Sequence, residues 1–222
     1  MNTALFVGIL HEVFSYLGKG KVEDAFRVAY NALNDDGVLI IQDFLKPPSR
    51  LVEMRFKNEE TRRKFLRFAY EFRPRKVKFE ETSRDRVKLD IADATEFISK
   101  YRSPNEEDWK EEMSETHFFL TEEEYQDVAQ RTGFIIKDSM KLPKSENWWV
   151  EIREDIEFRF EPEYRWIQLV LVKKQTNEVS KMYQRSGVAT SPNTAYTLRA
   201  NALAFRTLLS WIATSYIRLP LY

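Results

Sequence analysis

The sequence contains no cysteine, which excludes a disulfide framework, a thiolate zinc site, an iron–sulfur cluster and a cysteine nucleophile, and fits a reducing compartment. Histidine is nearly as scarce. With only His11 and His117 present, there is little material for a histidine metal site, and no metal is expected. An excess of one charge is missing too: 35 basic residues face 35 acidic ones, so no net field draws the chain to nucleic acid or to an anionic membrane. The opening stretch MNTALFVGILHEVF lacks a basic n-region and a small-residue cleavage signal. The uncharged run between Arg206 and Arg218 falls short of the roughly 20 residues a spanning helix needs. An intracellular, cytoplasmic, soluble protein without a membrane span is expected. Glycine occurs only six times in 222 residues, against 14% aromatic and 32% charged residues, which describes a folded and largely helical chain rather than a linker. That length suits one ordinary domain with a small appendage.

What is present divides into four stretches. In residues 1–49, Ala4 to Leu10 is a continuous apolar run, the pattern of a strand buried on both faces of a parallel sheet or of a core helix turn. Val22, Ala25, Phe26, Ala29 and Leu33 then recur at helical spacing, and Gly37 to Asp43 is a second apolar strand. Strand, helix and strand joined so closely predict a right-handed parallel unit. After Pro47-Pro48, residues 50–119 are highly charged and predict a helical insertion of three short helices. One follows Asn58 and carries Phe65, Leu66, Ala69 and Phe72 as far as Pro74; the others start near Asp93 with Glu96 and near Ser103 with Glu106. In residues 120–174, Thr121 and Glu124 have capping-box spacing, Tyr125, Val128 and Ala129 share a face, and Gly133 stops the helix. Strands Phe134 to Leu142 and Trp166 to Val172 follow as an antiparallel pair. Residues 175–222 form an atypical tail with Glu178 as its one acid and a helical pattern from Thr194 to Ile217.

Three of these segments carry a family resemblance. Phe6-Val-Gly-Ile-Leu-His-Glu-Val13 is similar to the fourth strand and following turn of class I S-adenosylmethionine-dependent methyltransferases. Asn31-Ala-Leu-Asn-Asp-Asp-Gly37-Val-Leu-Ile-Ile-Gln-Asp43 resembles their "L-x-P-G-G-x-(hydrophobic)₃-x-D" segment, with Asp36 in place of a glycine. Thr121-Glu-Glu-Glu-Tyr125 to Gly133-Phe134 resembles their "T-x-x-E…A-G-F" helix and sixth strand. The matches span about residues 4 to 174. The resemblance implies an α/β fold: a partial Rossmann-like methyltransferase sheet with parallel strands, a C-terminal reversed hairpin and a helical insertion over the acceptor site. It further implies S-adenosylmethionine as cofactor, contacted by Leu10, His11 and Glu12, with His11 and Asp43 as catalytic residues. The family's glycine-rich loop (E/D-x-G-x-G-x-G) and the ribose-binding acid have no counterpart here, since Met1 falls almost at the fourth strand. The expectation is a truncated, acceptor-side half, inactive by itself, with a small-molecule acceptor and a complementary N-terminal half or a homo-oligomer as partner. The alternative is a non-catalytic remnant or binding module that contacts a protein partner, or nucleic acid through the basic-aromatic stretch 62–88.

Most of these positions also carry a purely structural reading. His11 is either a general base for an acceptor hydroxyl or amine or a residue packing a loop, and Asp43 either orients an acceptor or bonds nearby amides. Arg50, Arg55 and Lys57 either meet an acidic acceptor or form a solvated face. Tyr16 either walls the cleft or packs on the sheet, His117 is expected to be structural, and Trp148 and Trp149 either pack the insertion or line an acceptor pocket.

Overall fold

A computed structural model describes residues 1–143, 152–160 and 164–174. Met1–Lys173 cluster as one compact unit. The tail helix expected over 194–217, together with Trp148 and Trp149, lies outside the described residues.

The first sheet is built from β1 (Thr3–Val7), β2 (Val38–Phe44), β6 (Phe134–Pro143) and β8 (Tyr164–Lys173), in the order β1-β2-β8-β6. β1 and β2 are parallel, with Thr3 opposite Val38 and Val7 opposite Gln42. β8 runs antiparallel to both β2 and β6. A parallel pair followed by a C-terminal reversed hairpin is the α/β arrangement expected from the sequence. Two helices, rather than the one expected, make the crossover from β1 to β2: α1 (Leu10–Leu17) and α2 (Lys19–Ala32). They break at Gly18, whose φ of +89° no other residue type adopts cheaply. α2 lays Val22, Ala25, Phe26 and Ala29 against the core. α6 (Glu122–Arg131) starts on the expected capping box of Thr121 and Glu124 and ends before Gly133, also at φ +89°.

Residues 50–119 correct the purely helical reading. They do hold three helices: α3 (Glu59–Glu71), α4 (Ile91–Lys100) and α5 (Glu106–Glu112). Asn58 caps α3 as expected, whereas α4 and α5 start on Asp90 and Asn105. A second, antiparallel sheet accompanies them, in the order β4-β5-β3-β7, from β3 (Leu51–Phe56), β4 (Phe79–Ser83), β5 (Arg86–Asp90) and β7 (Ile156–Phe158). Val52, Met54 and Phe56 of β3 alternate inward, and so do Val87 and Leu89 of β5. They pack with Phe65, Phe68 and Phe97, each 0% exposed. Burying one such side chain contributes about 1.5–3 kcal/mol, so this region has a core of its own.

β1 is the other correction. Instead of being buried on both faces it is, among the described residues, an edge strand, with Leu5 62% and Val7 55% exposed. Unpaired apolar edges pair with other chains. We expect concentration-dependent self-association in sedimentation velocity, reduced by Val7→Lys; a monodisperse monomer at high concentration would overturn this.

Candidate functional site

Alternation along β2 turns Leu39, Ile41 and Asp43 to the buried face. Asp43 is 0% exposed at the carboxyl end of the strand, beside the start of α1. That helix has no side-chain cap of its own, and Asp43 supplies one from the neighbouring strand: its Oδ2 accepts from the backbone N–H of Ile9 (3.1 Å) and Leu10 (2.7 Å). Its Oδ1 accepts from Phe44 N (2.8 Å) and lies 2.8 Å from His11 Nδ1. A carboxylate can only accept, so His11 Nδ1 carries the proton and the neutral ring keeps its lone pair on Nε2. His11 is itself buried, at 7% exposure. Burial pulls its pKa down, but the hydrogen bond and charge of Asp43, then Glu115 and Glu12, outweigh it and the net shift is upward.

His117, expected to be structural, stands beside His11 with ring centroids 5.5 Å apart, edge to face. Its ring stacks on Phe44 at 4.3 Å, and Phe44 stacks on Trp166 at 4.0 Å; Trp166 is the cross-strand partner of Phe44. His117 Nδ1 is 3.3 Å from Ser99 Oγ, whose hydroxyl proton already goes to Glu96 O (2.7 Å). The hydroxyl therefore accepts and His117 Nδ1 donates; Nε2 carries a lone pair in the neutral ring and a second proton in the imidazolium. That nitrogen is 3.6 Å from both Glu112 Oε2 and Glu115 Oε1.

Beneath the two rings lies a buried charge network. Glu96, 0% exposed, accepts from Thr116 Oγ1 (2.7 Å) and from the backbone N–H of His117 (2.9 Å) and Phe118 (3.3 Å). Lys100 Nζ is 3.4 Å from Glu96 and 2.6 Å from Glu112. Burial pushes the Glu96 carboxyl up, yet Lys100 foremost holds it down at about 2. Glu115 is lowered despite burial, His117 beside it being the chief opposing cause. Glu12, half-buried, is raised by burial. Tyr16 is pushed up to about 12, first by burial and then by Glu115, Glu111, Glu12 and Glu112.

Of the residues singled out in the sequence, the fold joins His11 to Asp43, with Glu12 alongside and Leu10 turned fully inward. Arg50, Arg55 and Lys57 stand apart, on the second sheet. Arg55 pairs with Asp85 (2.7 Å) and Glu157 (3.3 Å), Lys57 donates to Arg153 O, and Arg50 lines a cleft of about 390 Å³ that none of the His11 cluster lines. In the stretch 62–88, Phe65, Phe68 and Phe72 are buried, while Arg62 meets Glu81 (2.9 Å), Arg67 meets Glu106 (2.6 Å) and Arg75 meets Asp93 (2.6 Å). Sequence reasoning missed Glu96, Lys100, Glu115 and His117 as one cluster; the acidic run leading into His117 was its one local signal.

No family model matches the sequence, and no curated protein matches it significantly. Among solved structures, a S-adenosylmethionine-dependent methyltransferase from Clostridium acetobutylicum ATCC 824 is similar at 9% sequence identity and a TM-score of 0.34. The match covers 79% of this chain and 59% of that one, so the chain spans less than two thirds of that protein's length. At so low a score the fold rests on the strand order itself: a mixed α/β unit whose sheet joins a parallel pair to a reversed antiparallel hairpin.

Proposed function

We propose that this chain supplies the acceptor-side half of a class I S-adenosylmethionine-dependent methyltransferase acting on a small molecule. The observation that carries the reading is the His11–Asp43 pair, closed at 2.8 Å at the carboxyl ends of two adjacent parallel strands, where open α/β sheets bind ligands. Asp43 is held by three backbone N–H groups and so fixes the His11 ring. His11 Nε2 then presents the lone pair a base needs to take a proton from an acceptor hydroxyl or amine. Phe44 stands edge-on to the His11 ring at 5.0 Å, an apolar neighbour that limits water there.

The cofactor supplies the activated methyl group when bound. The residues present do not make a complete pocket for it. Among the described residues, Gly8 is the one glycine at a strand-to-helix turn on this sheet edge, and close backbone approach to the methionine end takes a glycine-rich loop. That loop would come from a complementary segment. The alternative, a non-catalytic module gripping nucleic acid through 62–88, draws little support from arginines already engaged by carboxylates.

Titration of the ¹⁵N-labelled chain with S-adenosylhomocysteine tests the reading. Weak, saturable shifts confined to the amides of Ile9–Glu12 and Asp43–Phe44 are expected. Affinity of about 1 μM or tighter would overturn the half-site part of the proposal, and the absence of shifts at those amides would overturn the methyltransferase reading.

A further inference from the structure

Two imidazoles and a carboxylate meet at this site. One ligand atom each from His11, His117 and Glu115 lie within 4.8 Å of one another, the one such group of histidine and acidic side chains among the described residues. With both Nδ1–H groups held by Asp43 and Ser99, each ring in its neutral form aims a lone pair from Nε2. His117 Nε2 faces Glu115 Oε1 at 3.6 Å, a contact that is favourable when a positive charge, a proton or a metal ion, stands between them. Lys100 pairs with Glu112 at 2.6 Å and with Glu96 at 3.4 Å.

We infer that His11 Nε2, His117 Nε2 and Glu115 form a binding site for a divalent cation of the zinc class. Ligands about 2.0–2.1 Å from a tetrahedral ion stand roughly 3.4 Å apart. The His117–Glu115 distance of 3.6 Å is already close to that, and the rest of the triangle closes by rotamer-scale movement. Both rings carry the outer-shell partner that metal-ligating histidines use: Asp43 behind His11 makes the carboxylate–histidine arrangement, and Ser99 stands behind His117. Stacking on Phe44 and the bond from His117 N to Glu96 hold the second ring in place before any ion arrives. The donor set of two imidazole nitrogens and one carboxylate selects zinc, cobalt or ferrous iron over magnesium or calcium. The acids Glu12, Glu112 and Glu115 around the site favour a cation there. Three protein ligands leave a fourth position open, a seat for water or for an acceptor oxygen. Occupied in this way, His11 serves the ion, and its use as a free base belongs to the cation-free chain.

The sequence itself makes the test clean, since it offers no cysteine and no third histidine to compete for the metal. Calorimetry with Zn²⁺, and the visible spectrum of Co²⁺, are read on the full untagged chain. One ion per chain and a tetrahedral cobalt band are expected. His117→Gln should weaken binding at least 100-fold. Glu115→Gln, at a partly exposed position that does not threaten folding, should weaken it at least 10-fold, while Glu111→Gln leaves it unchanged. Absence of stoichiometric binding, or binding that survives both His117→Gln and Glu115→Gln, would overturn the inference and leave a proton on His117 as the charge between the rings. The result does not depend on methyl transfer: zinc binding with no response to S-adenosylhomocysteine would sink the proposed function and keep the metal site, and the reverse outcome would do the opposite.

Discussion

Replacing Glu96 with alanine is expected to destabilise the protein by about 3–5 kcal/mol, the usual cost of removing one partner from a buried ion pair. Lys100 is 1% exposed and would keep its charge with only Glu112 to answer it. Three further donors, Thr116 Oγ1 and the backbone N–H groups of His117 and Phe118, would lose their acceptor in the interior. Removing both charges should cost far less, because an ion pair replaced by apolar groups is often near neutral. Glu96→Ala combined with Lys100→Met should therefore recover much of the loss in urea denaturation, and additive losses would refute the coupling. The pH dependence has a definite sign. A carboxyl held at about 2 in the folded chain, against an ordinary value of 4.5, contributes stability that is present above pH 4.5 and fades as pH falls towards 2. The wild-type chain should lose stability across that window, and the Glu96→Ala chain should lose less.

His11→Ala should lower methyl transfer by about 10²-fold or more, the size of a general-base contribution. On the proposed half-site reading, the assay includes a polypeptide that supplies the glycine-rich half. Asp43→Asn is the companion variant. It keeps side-chain acceptor capacity for the α1 amides but can offer its amide N–H to His11, which favours the other tautomer and turns Nε2 from acceptor to donor. Turnover should fall while cofactor affinity stays within a few-fold of wild type. If both variants turn over normally, the pair is a structural cap for α1. Chelation separates the two uses of the Nε2 lone pair: turnover that survives removal of divalent ions belongs to the free imidazole, and turnover that disappears belongs to a metal-bound acceptor.

The legible parts of the fold were those whose signals are local. Thr121 with Glu124 marked the start of α6 because a capping box is a contract between residues three apart. The apolar runs of β6 and β8 stood out for the same reason. β3 and β5 did not, although Val52, Met54 and Phe56, and likewise Val87 and Leu89, alternate as strands should. Their outward positions are filled by Glu53, Arg55, Arg86 and Lys88, and dense charge hid a period of two inside what passed for helical insertion. In the site, His11 and Asp43 were accessible because each ends an apolar run. His117 and Glu115 were not, since no sequence rule places residues beyond α4 and α5 opposite the first turn of α1. The shared face is a product of tertiary packing alone, and scarcity of histidine argued against the pairing that folding creates.

The place of β8 in the first sheet has a consequence for how the chain is made. It is the last of the four strands to leave the ribosome, yet it lies in the middle, with Val38 of β2 opposite Val172 on one side and Ile135 of β6 opposite the same residue on the other. β2 and β6 have no ladder between them to form in advance. Until β8 emerges, the nascent chain holds a two-stranded parallel ribbon with a lone third strand, and closure then requires pairing across a long sequence separation, the slow and aggregation-exposed class of folding event. The antiparallel sheet of residues 51–90 needs only β7 as a late arrival and can gather its core first. Synthesis should thus yield a half-folded species with β1 and β2 uncovered, the stage at which a chaperone would have most to hold.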